Sequence, residues 1–108
     1  MDCLFCKIIA GEIPSKKVYE DDTVLAFYDI SPKAATHFLV IPKEHITNVN
    51  EITPQNSGVV AHIFEVIAAL VKEMKLDNGY RVVNNCGKDG GQTVGHLHFH
   101  VLGGRQLS

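Results

Sequence analysis

Three histidines, His96, His98 and His100, alternate with Leu97, Phe99 and Val101 near the C-terminus. On a β-strand successive side chains point to opposite faces, so the imidazoles share one face and the apolar side chains share the other. Their α-carbons would be about 6 to 7 Å apart, close enough for neighbouring rings to meet one ligand. A neutral imidazole can attack as a nucleophile, donate a hydrogen bond to a phosphoryl oxygen, or bind a metal. Two chemistries are therefore open: three imidazoles around a catalytic metal, or three metal-free rings around a substrate. A second pattern is Cys3-Leu4-Phe5-Cys6, which is half of many structural zinc sites. The same spacing occurs in redox centres that follow a strand, and no strand can precede it here. His37 and His45 flank an apolar run and are candidates to meet the triad in space, whereas His62 reads as a boundary residue on a helix.

The rest of the chain limits what these rings could act on. Its 108 residues carry a formal net charge of -2 and no Lys/Arg run, which excludes a basic nucleic-acid surface. A bound phosphate must then be held largely by neutral donors. Residues 85–95 supply them: a loop with four glycines together with Asn85, Gln92 and Thr93. Glycine lets backbone N–H groups turn toward an anion. Asp29, followed by Ile30-Ser31-Pro32, is either a turn cap or a binding group. Three cysteines and no secretory signal argue against a disulfide framework, and no apolar run is long enough to span a bilayer. The expectation is a cytoplasmic protein without a membrane partner.

The elements that must position these groups follow from periodicity. Leu4, Phe5, Ile8 and Ile9 fit a short helix ending near Gly11. Residues 17–19 and 24–28 read as a hairpin across Glu20-Asp21-Asp22, and residues 37–41 as a nearly all-apolar central strand. Thr53-Pro54 predicts a helix start; Val59, Ile63, Val66, Ile67, Leu70 and Met74 then form one stripe of about five turns, released at Asn78-Gly79. Residues 80–84 and 96–102 complete five strands. The order helix, three strands, helix, two strands predicts a single α+β domain over 1–108 with an antiparallel sheet. The last strand is expected at or near a sheet edge, where a second chain could pair with it.

At this level the sequence resembles the histidine triad (HIT) family, in particular its Hint-like branch of purine nucleotide-binding proteins. The likeness is carried by Phe5-Cys6-Lys7-Ile8-Ile9-Ala10-Gly11-Glu12-Ile13-Pro14, Leu25-Ala26-Phe27-Tyr28-Asp29-Ile30-Ser31-Pro32, Thr36-His37-Phe38-Leu39-Val40-Ile41-Pro42-Lys43 and Asp89-Gly90-Gly91-Gln92-Thr93. The triad segment through Gly103-Gly104-Arg105-Gln106 completes it, and the likeness covers nearly the whole chain.

The resemblance implies a HIT fold with one long and one short helix, a sheet extended across a homodimer, and hydrolysis of purine nucleoside 5′-phosphoramidates or related adenylates without an organic cofactor. It makes His98 the nucleophile that forms a nucleotidyl-histidine intermediate. His100 and His37 would bind the phosphoryl oxygens, and the carbonyl of His96 would hold the other nitrogen of His98. Asp29 would bind the ribose, and Asn85, Gly91 and Thr93 the phosphate. Leu4, Phe5, Ile8, Phe27 and Leu39 would surround the base. A protonated neighbouring histidine would help to stabilise the transferred group. A structural zinc would sit on Cys3, Cys6, His45 and His96, leaving His98 and His100 free. The sequence lacks the Trp-Pro-Pro-Gly tail of many Hint proteins after Gln106, so the leaving group is left open. Competing functions are diadenosine polyphosphate hydrolysis, a nucleotide-binding scaffold with incidental hydrolysis, and a three-histidine metal hydrolase.

Overall fold

The computed structural model describes residues 3–107; the expectations that rest on Met1, Asp2 and Ser108 lie outside the described residues. Helix α1 (Leu4–Ile9) is followed by strands β1 (Lys17–Glu20), β2 (Val24–Tyr28) and β3 (Thr36–Pro42). Helix α2 (Gly58–Glu73) and strands β4 (Tyr80–Val83) and β5 (Phe99–Gly103) complete the chain, with a short 3-10 turn at Val49–Glu51 that periodicity did not indicate. All pairings are antiparallel, in the order β1-β2-β3-β5-β4. The α+β architecture with five strands, one long and one short helix is as expected. Among the described residues no helix is long and apolar enough to cross a membrane.

The alternation of the triad segment is realised as two separate packing faces. Leu97, Phe99 and Val101 join Val24, Ala26, Phe38 and Val40 against Ile63, Val66, Ile67 and Leu70 of α2. The opposite face carries Leu25, Phe27, Leu39 and Ile41, covered by Cys3, Phe5 and Ile8 of the α1 region. The central strand β3 is thus buried on both sides, which explains its unbroken apolar run.

Two local expectations are corrected and one is narrowed. The last strand lies next to an edge rather than at it: β5 pairs with β3 on one side and β4 on the other, so the edges are β1 and β4. Strand order depends on which distant edges meet, and β4 covers the side that the chain order left open. The long helix begins at Gly58 rather than at Thr53-Pro54. There Asn56 Oδ1 accepts from the Thr53 N–H at 2.7 Å and Thr53 Oγ1 accepts from the Gln55 N–H at 3.2 Å, closing a turn of its own ahead of the helix. At the other end the left-handed residue is Lys75 (φ 61°), and the Leu76 N–H returns to the Val71 carbonyl at 3.0 Å. Gly79 (φ 114°) only shapes the turn into β4.

Candidate active site

His98 lies just before β5, in a stretch whose backbone is held by neighbouring segments. The Leu97 N–H donates to the Ile46 carbonyl at 2.6 Å and the His96 N–H to the Val94 carbonyl at 2.9 Å. Nδ1 of His98 is 2.7 Å from the His96 carbonyl oxygen. A carbonyl can only accept, so Nδ1 carries a hydrogen and the neutral form of the ring has its lone pair on Nε2. The ring as a whole is buried, at 3% exposure. Among the described residues, however, no fully buried side-chain nitrogen or oxygen lacks a partner, and Nε2 of His98 has none. That nitrogen is therefore not fully closed off from solvent.

The neighbouring rings are fixed by the same reasoning. The backbone N–H of Lys33 donates to Nδ1 of His37 at 3.0 Å, so a neutral His37 carries its hydrogen on Nε2. This Nε2 donates to Nδ1 of His100 at 2.9 Å, which leaves the His100 hydrogen on its own Nε2. The His98 and His100 rings meet edge to face with centroids 5.0 Å apart. The ring with the unpartnered nitrogen is thus in contact with the ring that carries a free N–H donor.

Burial, reinforced by His98 and His37, pushes His100 down to about 4, and burial likewise lowers His37. Both rings are neutral near pH 7 in the free protein. In the free protein, before any anionic group is bound, His100 therefore offers a neutral imidazole N–H.

Asp29 is divided between the two roles considered for it. Its Oδ1 accepts from the Ser31 N–H at 2.7 Å, as a turn cap does, while Oδ2 lies 3.5 Å from Nε2 of His37. Asp29, His37 and His100 converge closely enough to suggest metal ligands. The Lys33 N–H argues otherwise, because it holds the His37 lone pair on Nδ1, away from the other two groups. Their arrangement is a hydrogen-bonded relay.

Cys3, Cys6, His45 and His96 form a second cluster, with ligand atoms within 4.8 Å of one another. Cys3 Sγ is 3.3 Å from His96 Nδ1, Cys6 Sγ is 3.3 Å from His45 Nδ1 and 3.6 Å from His96 Nδ1. In a tetrahedral zinc site sulfur and nitrogen ligands stand about 3.5 Å apart, so the donor set fits. His96 also donates from Nε2 to the Pro42 carbonyl at 2.8 Å, the second bond that orients many metal-binding imidazoles. Burial, together with Cys3, pushes the Cys6 thiol up, so metal binding would release its proton.

The donor loop is folded tightly. A Cβ on Gly90 would lie 2.3 Å from the Cys86 carbonyl oxygen, and Gly91 has φ 81°. Gln92, expected among the ligand donors, is committed to the loop itself. Its Oε1 accepts from the Gly87 N–H at 2.9 Å, and its Nε2 donates to the carbonyls of Thr47 and Val94 at 2.7 and 2.9 Å. Gly91 and Thr93 are exposed and Asn85 is half-buried. One residue that sequence reasoning missed is Asn84, whose Nδ2 donates to the His98 carbonyl at 2.9 Å. Nothing in the sequence distinguishes it from Asn85.

The residues expected around a base are brought together, but as packing. Phe5, Ile8, Phe27 and Leu39 are 4–8% exposed beneath α1, and only Leu4 is open at 46%. Phe5 stands edge-on to Phe27 at 5.5 Å and to His98 at 5.2 Å. A cavity of about 650 Å³ lies elsewhere, between the α2–β4 turn and residues 104–107. His62 is also apart: its Nε2 is 2.7 Å from Asp21 Oδ2, tying α2 to the β1–β2 turn.

Comparison with known proteins agrees with this geometry. An uncharacterized HIT-like protein of Synechococcus elongatus is 49% identical over 107 residues, covering 99% of this chain and 94% of its own. A histidine triad protein from Clostridium difficile superposes with a TM-score of 0.97 at 54% identity, covering 100% of this chain and 95% of that one. A HIT family hydrolase from Clostridium thermocellum gives a TM-score of 0.96 at 45% identity (99% and 94% covered). A histidine triad nucleotide-binding protein from Candida albicans gives 0.85 at 40% identity (93% and 73% covered). Residues 10–107, which contain all three alternating imidazoles and the strands that hold them, match the family described as HIT domain, and the chain belongs to it.

Proposed function

We propose that this protein is a nucleotide-binding hydrolase that cleaves purine nucleoside 5′-phosphoramidates or related adenylates through a nucleotidyl-His98 intermediate. The observation that carries the reading is the unpartnered Nε2 of His98, oriented by the bond from Nδ1 to the His96 carbonyl, on a ring packed edge to face against His100. In the first step Nε2 attacks the α-phosphorus and the bond from phosphorus to the leaving nitrogen breaks, the departing amine taking its proton from water. Attack by a neutral ring places positive charge on His98, which the His96 carbonyl stabilises through Nδ1–H. His100 donates to a phosphoryl oxygen, and His37, held by the Lys33 N–H, keeps His100 in that tautomer. Water then attacks phosphorus and releases His98. Asn85, Gly91 and Thr93 would add neutral donors, and Asp29 Oδ2 would accept from a ribose hydroxyl. The names of the relatives from Clostridium thermocellum and Candida albicans support hydrolysis and nucleotide binding.

Cys3, Cys6, His45 and His96 would hold a zinc ion whose contribution is structural, joining the N-terminal helix to the segment that carries His98. The 1–108 chain would act as one HIT domain in a homodimer. The edge available for a joined sheet is β4, because β1 is interrupted by a bulge between Lys17 and Tyr19 and carries charged side chains. Tyr80, exposed at 44%, lies on that edge strand. The test is His98→Ala: turnover of adenosine 5′-phosphoramidate should vanish while AMP still binds. Retained turnover would refute the assignment, and a higher kcat/KM for diadenosine polyphosphates would change the substrate.

A further inference from the structure

The β4–β5 ladder ends at the pair Val83 and His100. Continuing that register by two residues would set Asn85 opposite His98, but residues 84–86 leave the sheet. A backbone carbonyl left facing that gap would lack a donor, at a cost comparable to a lost hydrogen bond. The Asn84 side chain takes the place of the missing backbone partner, with Nδ2 2.9 Å from the His98 carbonyl oxygen.

We infer that Asn84 is a positioning residue for His98, acting through the peptide that carries the ring; the inference rests on the reading of His98 as the nucleophile. The ring's orientation is set at Nδ1 by the His96 carbonyl, and its backbone is set by Leu97 on one side and Asn84 on the other. The same amide fastens the start of the donor loop to the reactive residue. Within that loop the Gly91 N–H returns to the Lys88 carbonyl at 3.1 Å, the Gln92 N–H to the Gly87 carbonyl at 3.0 Å, and the Gln92 side chain closes on Val94. The loop is therefore a stiff unit. Asn84 ties its beginning to His98 and Gln92 ties its end to the approach to His96, so donors and nucleophile hold one spacing. Asparagine suits the position because it is short and carries an N–H donor; an ionised aspartate has the same shape but only acceptors.

Asn84→Asp in the full chain tests this. Single-turnover formation of nucleotidyl-His98 from adenosine 5′-phosphoramidate should slow by about tenfold or more, since small misplacements of a reacting atom are costly. The Kd for AMP should stay within about threefold, because binding does not require the ring to attack. The imidazole NMR signal of the His98 Nδ1–H should broaden as its bond to the His96 carbonyl loses order. Asn84→Leu, which fills the space without a donor, should behave alike. Wild-type adduct formation in both variants would overturn the inference, as would a slowing matched by an equal loss of AMP affinity, which would mean collapse of the loop. If the wild-type protein forms no adduct at His98, the functional reading fails. The NMR signal then decides alone: a sharp, unchanged Nδ1–H in Asn84→Asp overturns the positioning role, and a broadened one sustains it.

Discussion

Replacing His100 with Gln should flatten the acid side of the stability curve. In the folded protein burial and the adjacent rings hold His100 at about 4, against 6.5 for a free imidazole. Between those values the unfolded chain binds the proton more readily than the folded one, so stability falls as pH is lowered through this window. The contribution is intact above about pH 6.5 and lost below about pH 4. Fully shielded, the difference would correspond to about 3 kcal/mol. The ring is partly open to solvent, and screening reduces this to about 1–2 kcal/mol. Glutamine keeps an oxygen that can accept from His37 but has no proton to gain, so the variant should lose that much less between pH 7 and 4. Urea unfolding of both proteins across that range reads the difference directly, because the other acid-sensitive groups are common to both. Parallel curves would refute the claim that His100 is held neutral by its surroundings, and with it the identification of its Nε2–H as the donor beside His98.

Two further outcomes follow from the site. Metal analysis should find one zinc per chain, and either a strong chelator or Cys6→Ser should lower the unfolding midpoint while His98 can still be modified by substrate; loss of the adduct at unchanged stability would point instead to a catalytic metal. Gly90→Ala should weaken AMP binding by about tenfold or more, since its Cβ would lie 2.3 Å from a backbone oxygen and the loop would have to open; titration calorimetry showing wild-type affinity would exclude the loop from phosphate binding.

The parts of this site that can be read from the sequence are those written in a local period. The alternation of His96, His98 and His100 with Leu97, Phe99 and Val101 places the rings and the packing on opposite faces, and the structure keeps them so. The stripe of Ile63, Val66, Ile67 and Leu70 likewise identifies α2 and the face it buries. What could not be read depends on distant partners. The interior place of β5 is decided by β3 and β4, which lie far from it in the chain. The tautomer of His100 is decided by His37, 63 residues away in the chain. Phe5, Ile8, Phe27 and Leu39 are gathered as expected, yet how far they are covered is decided by the packing of α1. Asn84 acts by standing in for a backbone partner, and no spacing rule marks such a substitution.

The most direct test of the central claim is to quench the protein in alkali, where a phosphorus–imidazole bond survives, during turnover of adenosine 5′-phosphoramidate and to map the modified peptide by mass spectrometry. The structure predicts a nucleotidyl group on residue 98 alone, formed and lost at rates that account for turnover. A label on His100 or His37, or turnover with no covalent species, would contradict it.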